Sequence, residues 1–268
     1  MRTRSWYHRN MKNEKVKLLI GSLLVLAGIA GIFMFSRKTN APSISKTGSP
    51  AQPPTTNQTF TTPSFDKTKY SLTDPASIWV VVNKQHPLDP KSYTPTDLVV
   101  PDIPLRVPGN ESMQVRKATA TALEAMFAAA KTDGLSLMLS SGYRSYNYQV
   151  DLYGGYVKTQ GQATADTQSA RPGFSEHQTG LAADLEPTSK TCELDVCFKD
   201  TPEGAWVAAN AYKYGFIIRY TSDKTAVTGY EFEPWHVRYI GTELATELHN
   251  TNVETLEEFF GVTGGTTY

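Results

Sequence analysis

His177 and Asp184 lie within Ser175-Glu176-His177-Gln178-Thr179-Gly180-Leu181-Ala182-Ala183-Asp184, and some fifty residues later the chain reads Glu233-Pro234-Trp235-His236. Two imidazoles and one carboxylate can hold a divalent metal and leave a fourth position to water. That is the arrangement of catalytic zinc, whereas structural zinc is usually enclosed by four protein ligands. A second carboxylate at such a centre can move protons. The chain has five histidines, at positions 8, 86, 177, 236 and 249, and two of them fall inside these stretches.

Taken alone, each fragment has a plainer reading. His177 and Asp184 could be a core histidine and its partner, and Glu233 and His236 could be an incidental pair. The pattern around them favours the metal. Gly180–Leu185 reads as a strand, and period-two alternation puts Leu181, Ala183 and Leu185 on one face and Ala182 and Asp184 on the other. Asp184 then faces a cleft beside a small residue, and His177 reaches it from a turn that Gly180 allows. Pro234 argues against a helix there. In a regular strand, Glu233 and His236 would point opposite ways, so a turn or kink at Pro234-Trp235 is required. Glu233 then serves as base to the metal-bound water and as acid to a leaving amine.

Arg144 closes the turn Ser140-Ser141-Gly142-Tyr143-Arg144. Most turn arginines are solvated, but this guanidinium could hold a carboxylate bidentately or stabilise an oxyanion. Gln149, one turn into the next helix, could bond the same ligand. Ser175 could donate to a substrate carboxylate or merely cap its turn.

The elements that position these groups are mixed. Trp79 to Val100 begins as a short strand and continues as an extended, proline-rich wrapping segment. Glu111 to Lys131 reads as a helix ended by Asp133-Gly134, with Leu123, Met126, Phe127 and Ala130 on one face. Leu135, Leu137 and Leu139 mark a strand, and Ser145 caps a helix running to Lys158. Gly161 to Gly173 reads as a loop. Thr201-Pro202 starts a helix that Tyr214-Gly215 stops, and Phe216–Tyr220 follows as a strand. Thr251-Asn252-Val253-Glu254 has the form of a capping box. Without regular βαβ alternation, the expected class is α+β, a compact domain with a small antiparallel sheet flanked by helices.

The balanced totals, 26 basic and 26 acidic residues, conceal an asymmetry. Residues 1–68 hold ten Lys or Arg and two Asp or Glu. The remaining 16 basic and 24 acidic residues give 69–268 a charge of about −8, which argues against nucleic acid as a partner. Residues 16–35 are apolar and uncharged after Lys17, long enough to span a bilayer. Residues 1–15 form a basic tail that should stay in the cytoplasm. The expected organisation is a single-pass, uncleaved membrane anchor at 16–35, a disordered Pro/Ser/Thr-rich linker at 36–68, and an extracellular domain at 69–268. Cys192 and Cys197 can close a small disulfide loop outside the cytoplasm.

Three stretches taken in order carry a resemblance: Ser-Gly-Tyr-Arg-Ser with Gln149, then Pro-Gly-Phe-Ser-Glu-His-Gln-Thr-Gly-Leu-Ala-Ala-Asp, then Glu-Pro-Trp-His-Val-Arg-Tyr-Ile-Gly. Together with Val82-Asn83-Lys84, Pro87-Leu88, Tyr93, Pro95 and Asp97-Leu98, they resemble the VanY-type D-alanyl-D-alanine carboxypeptidases and related L,D-carboxypeptidases over roughly 78–245. The resemblance implies the compact α+β domain shared with zinc peptidases of cell-wall and hedgehog type. It implies one Zn2+ per chain on His177, Asp184 and His236, Glu233 as base, and substrate contacts from Arg144, Gln149 and Ser175. The Cys192–Cys197 segment is outside the family pattern. The resulting expectation is a zinc carboxypeptidase that trims terminal D-alanine from peptidoglycan stem peptides. The alternatives are L,D-carboxypeptidase or endopeptidase action, and a wall-binding zinc module without turnover.

Overall fold

Regular structure opens with a minimal antiparallel pair, β1 (Leu98–Val99) and β2 (Val115–Arg116), at the start of helix α1 (Lys117–Thr132). Strand β3 (Leu137–Ser141) leads into α2 (Tyr146–Gln160) and α3 (Gln162–Gln168). Then come β4 (Ala182–Pro187), α4 (Pro202–Asn210) and β5 (Phe216–Tyr220). A short α5 (Thr225–Thr228), β6 (Glu233–Tyr239), α6 (Thr242–Thr251) and α7 (Leu256–Phe260) complete the order. The main sheet runs β3-β4-β6-β5 with every neighbour antiparallel, so the α+β expectation holds. This computed structural model describes residues 65–268, within the compact unit Thr61–Tyr268. The basic tail, the apolar 16–35 segment and linker residues 36–64 lie outside the described residues. Among the described residues no helix is long and apolar enough to cross a membrane.

Alternation sorts the two faces of the sheet. Ala183 and Leu185 of β4, Val237 of β6 and Phe216 of β5 pack with Leu123, Met126, Phe127 and Ala130 of α1 and Val207 of α4. Each large apolar side chain so buried contributes roughly 1.5–3 kcal/mol. The opposite face carries Asp184, His236 and Arg238. A second cluster joins the segment around Trp79 and Val81 to Leu244 and Leu248 of α6 and Leu256 and Phe259 of α7. Trp79 donates its indole N–H to the Ile240 carbonyl at 3.0 Å, tying the start of the domain to its end.

Several boundaries differ from the sequence expectations. The helix expected from Glu111 begins at Lys117, because Glu111–Met113 forms a 3-10 turn and Val115–Arg116 pairs with β1. Trp79–Val82 is buried but joins no sheet: Trp79 ends a turn, Val80–Val82 carry no ladder pairing, and the isolated bridge of Asn83 with His86 follows them. The supposed loop after Gly161 contains α3. Thr251 ends α6, and the cap of α7 is Thr255, whose hydroxyl accepts from the Glu258 amide at 3.1 Å. Phe65 and Lys67, assigned to the linker, belong to the domain: Phe65 stacks on Trp79 and Lys67 donates to the Phe259 carbonyl. Cys192 and Cys197 form the disulfide.

Candidate active site

Strand register builds the site. Asp184 of β4 is paired directly with His236 of β6, so both side chains leave the same face. His177 arrives from the 3-10 turn Glu176–Thr179, which Gly180 ends in the left-handed region at φ 65°. A Cβ at Gly180 would also meet Arg116 and Leu98 at about 3 Å, so only glycine suits the turn that lays His177 over β4. A second glycine is needed for close approach. Gly142 sits against the Gln114 carbonyl, where a Cβ would come within 2.4 Å, and its own carbonyl accepts from His177 Nδ1 at 2.6 Å. That bond fixes the tautomer and leaves Nε2 bare.

His177 Nε2 lies 3.3 Å from Asp184 Oδ2, and His236 Nδ1 lies 3.4 Å from Asp184 Oδ1. One ligand atom from each of the three residues falls within 4.8 Å of the others. His177 Nε2 and Asp184 Oδ1 are buried and have no hydrogen-bond partner in the protein. Buried orphan atoms converging on one point need an occupant. Two imidazoles and a carboxylate match the donor set and number of a catalytic zinc site. The residues present therefore fit the metal.

The electrostatics support the same division of roles. Burial, then the nearby Arg144 charge, push the His177 imidazole down to about 4, so it is neutral and ready to ligate. Burial opposes charge on Asp184, but the two imidazoles and Arg144 hold it well below the usual carboxylate range. Burial likewise opposes protonation of His236. Glu176, Glu233 and Asp184 outweigh it and raise the ring to about 9. This corner of the site favours a cation, whether proton or metal.

Glu233 Oε2 lies 3.2 Å from His236 Nδ1 and belongs to the most open side chain of the four, 16 % exposed against 3 % for His177. Burial raises its pKa, toward the range where a carboxyl can both take and return a proton. The kink it needs is present as a bulge: between the pairs Ile218–Val237 and Tyr220–Glu233, four steps on β6 face two on β5. The extra residues turn Glu233 toward the face that His236 occupies.

Arg144 directs Nη1 at Asp184 Oδ2, 3.4 Å away, and at Ser141 Oγ, 3.1 Å away. Its Nε donates to Gln149 Oε1 at 3.2 Å. Gln149 is fully buried, and its amide nitrogen donates to Ser169 and to the Ala170 carbonyl. It is thereby tied to the site through Arg144. Ser145 caps α2 as expected, accepting from the Tyr148 amide. Ser175 is buried and does not cap its turn through its side chain. Glu176, which was not among the site residues expected from sequence, has a fully buried carboxylate that accepts from Arg219 at 2.8 Å and Arg238 at 2.6 Å. The signal that could have found it was an arginine inside each of two otherwise apolar strands, Phe-Ile-Ile-Arg-Tyr and His-Val-Arg-Tyr-Ile.

Residues 112–242, which contain all of these groups, match the family model described as VanY, D-alanyl-D-alanine carboxypeptidase. Bacillus subtilis YodJ, provisionally named a carboxypeptidase, is 45% identical over 193 residues, 71% of this chain and 69% of that protein. The chain belongs to the VanY family. Among solved structures, the LdcB L,D-carboxypeptidase overlays with a TM-score of 0.66 at 45% identity, covering 70% of this chain and 88% of that one. A VanY D,D-pentapeptidase from a VanB-type vancomycin-resistance cassette, solved with Zn(II), overlays at 0.54 with 32% identity, covering 67% and 97%. The VanY family thus includes a zinc-bound member, and its relatives of known structure include both D,D- and L,D-acting enzymes.

Proposed function

We propose that this protein is a zinc carboxypeptidase that removes terminal D-alanine from peptidoglycan stem peptides. The observation that carries the reading is the convergence of His177, Asp184 and His236, with Glu233 on the open side and Arg144 beside Asp184. Zinc, when bound by these three residues, polarises the scissile carbonyl and makes its water acidic. Glu233 accepts the proton at its carboxylate and returns it to the leaving amine. Gln149 and Ser141 hold the Arg144 guanidinium in one orientation. It then meets the carboxylate end of the peptide or the developing oxyanion without reorganising. Ser175 is a candidate donor to the same carboxylate.

Cleavage of a D,D bond is the first reading, in line with the matched family. L,D-carboxypeptidase action on tetrapeptide stems is the second, favoured by the better overlay with LdcB than with the VanY pentapeptidase. Incubating the purified protein with defined tri-, tetra- and pentapeptide stems, with and without a chelator, tests both. D-alanine released from the pentapeptide alone assigns D,D action, and release from the tetrapeptide alone assigns L,D action. No chelator-sensitive release from any stem would sink the carboxypeptidase reading.

The proposed setting is the outer face of the cytoplasmic membrane. Residues 16–35 form a single-pass anchor with the N-terminus inside, and the linker tethers the catalytic domain near the wall. The apolar run, uncharged after Lys17, and the preceding basic tail support this arrangement. Tethering raises the enzyme's effective concentration at an insoluble substrate.

A further inference from the structure

Behind His236, on the side away from Asp184, lies a buried chain of charges that the peptidase mechanism does not use. His236 Nε2 and Glu176 Oε2 face each other at 3.6 Å, and neither has a hydrogen-bond partner elsewhere in the protein. Two buried orphans this close complete one another after a shift of a few tenths of an ångström. The other oxygen, Glu176 Oε1, accepts from Arg219 Nε at 2.8 Å and Arg238 Nη1 at 2.6 Å. Both arginines are anchored in turn. Arg238 donates to the Ile78 and Val80 carbonyls, and Arg219 forms a two-pronged pair with Glu257 of α7 at 2.9 and 2.7 Å. Asn83 then donates to Glu257 at 3.0 Å. Asn83, Glu176, Arg219, Arg238 and Glu257 are each at most 2 % exposed.

We propose that Glu176 is the positioning residue for His236: it holds the imidazole as the tautomer with its proton on Nε2 and so presents Nδ1 to the metal. This rests on the reading of His236 as a zinc ligand. An imidazole that ligates through one nitrogen must carry its proton on the other, and a hydrogen-bond acceptor there decides which. On the Nδ1 side lie the carboxylates of Asp184 and Glu233. Without Glu176 these would draw the proton to Nδ1 and block ligation. The arginines make the choice firm by keeping Glu176 in place. Asn83 and α7 are thereby linked to His236 through Glu257, Arg219 and Glu176.

Glu176→Gln tests this directly. Its amide oxygen would stay with the arginines and its NH2 group would face His236, asking Nε2 to accept and moving the ring proton to Nδ1. The folded variant should bind zinc 10- to 100-fold more weakly in a competitive chelator titration. Long-range proton–nitrogen correlation of metal-free protein, recorded at alkaline pH where the imidazole is neutral, should show His236 shifting from the Nε2–H to the Nδ1–H form. An unchanged zinc affinity or an unchanged tautomer overturns the proposal. If the variant does not fold, the same spectrum of the zinc-loaded native protein decides. A proton on His236 Nε2 supports the proposal, and ligation through Nε2 overturns it. A native protein that binds no zinc at all overturns the underlying site reading instead, so the two failures are distinguishable.

Discussion

Asp184 and His236 stand directly opposite each other in the β4–β6 pair, with Asp184 Oδ1 3.4 Å from His236 Nδ1. The neighbouring pair Ala183–Val237 belongs to the hydrophobic core. A slip of one residue would turn His236 into that core and Val237 into the cleft. The packing of Ala183, Leu185 and Val237 against α1 therefore does more than stabilise the sheet, because it sets the register that assembles the ligands.

Glu233→Gln keeps the shape of the side chain and removes its ability to accept a proton. We expect kcat to fall roughly 10²- to 10⁴-fold, the range for a positioned acid or base. Zinc content by metal analysis should remain near one per chain. Turnover within a few-fold of the native protein would remove Glu233 from its assigned role.

Arg144→Lys preserves charge but loses the planar fork. A charge-assisted hydrogen bond contributes about 1.5–3 kcal/mol, so kcat/KM should drop about 10- to 100-fold. A stem peptide amidated at its C-terminus should be turned over equally poorly by native and variant protein. Gln149→Ala, which frees Nε of Arg144, should show a smaller loss of the same kind. A lysine variant with native kcat/KM would indicate that the guanidinium does not meet substrate.

Zinc uptake should release a proton. With His236 raised to about 9, the ring is largely protonated at neutral pH, and the metal must displace that proton. Apparent affinity should rise by up to about tenfold per pH unit up to pH 9 and then level off. His177, lowered to about 4, adds no further dependence near neutrality. Calorimetry in buffers of differing ionisation enthalpy counts the protons. A count near zero at pH 7 contradicts the charge balance described around His236.

Acid should unfold the domain partly through Glu257. Burial opposes its charge, but Arg219, then Asn83, hold its pKa below the usual value. A depressed carboxyl contributes stability above the unfolded-state value of about 4.3, lost as pH falls through the lower folded one. Glu257→Gln should flatten the loss of melting temperature below about pH 4.5. It should also lower stability at pH 7 by about 3–5 kcal/mol, the cost of breaking a buried pair. An unchanged acid limb would show that other carboxyls govern it.

Much of this was legible locally. Ser145 and Thr201-Pro202 announced their helices because capping depends on residues within one turn. Phe216–Tyr220 matched its strand residue for residue. The need for a kink near Pro234-Trp235 followed from side-chain alternation, and the two-residue bulge supplies it. Other features depended on distant partners. The first turn expected of α1 unwinds because Val115–Arg116 finds β1. Trp79–Val82 is apolar enough for a strand, but Trp79 and Val81 cover α6 and α7 while Val80 and Val82 pack on Leu88 and Leu181. Gln149 could be placed near the site, but only packing showed its amide consumed by Arg144, Ser169 and Ala170.

The sequence by itself determined which groups exist to do chemistry: two imidazoles, two carboxylates and an arginine, each set in a turn or strand whose local rules were readable. Tertiary structure alone decided how they divide the work. Glu176 stands next to His177 in the chain, yet its role depends on Arg219 and Arg238, 43 and 62 residues onward, and on His236 beyond the bulge. Local periodicity cannot report such an arrangement. A buried charge is tolerable only when the fold brings counter-charges to it, and that pairing is settled by the register of β4, β6 and β5.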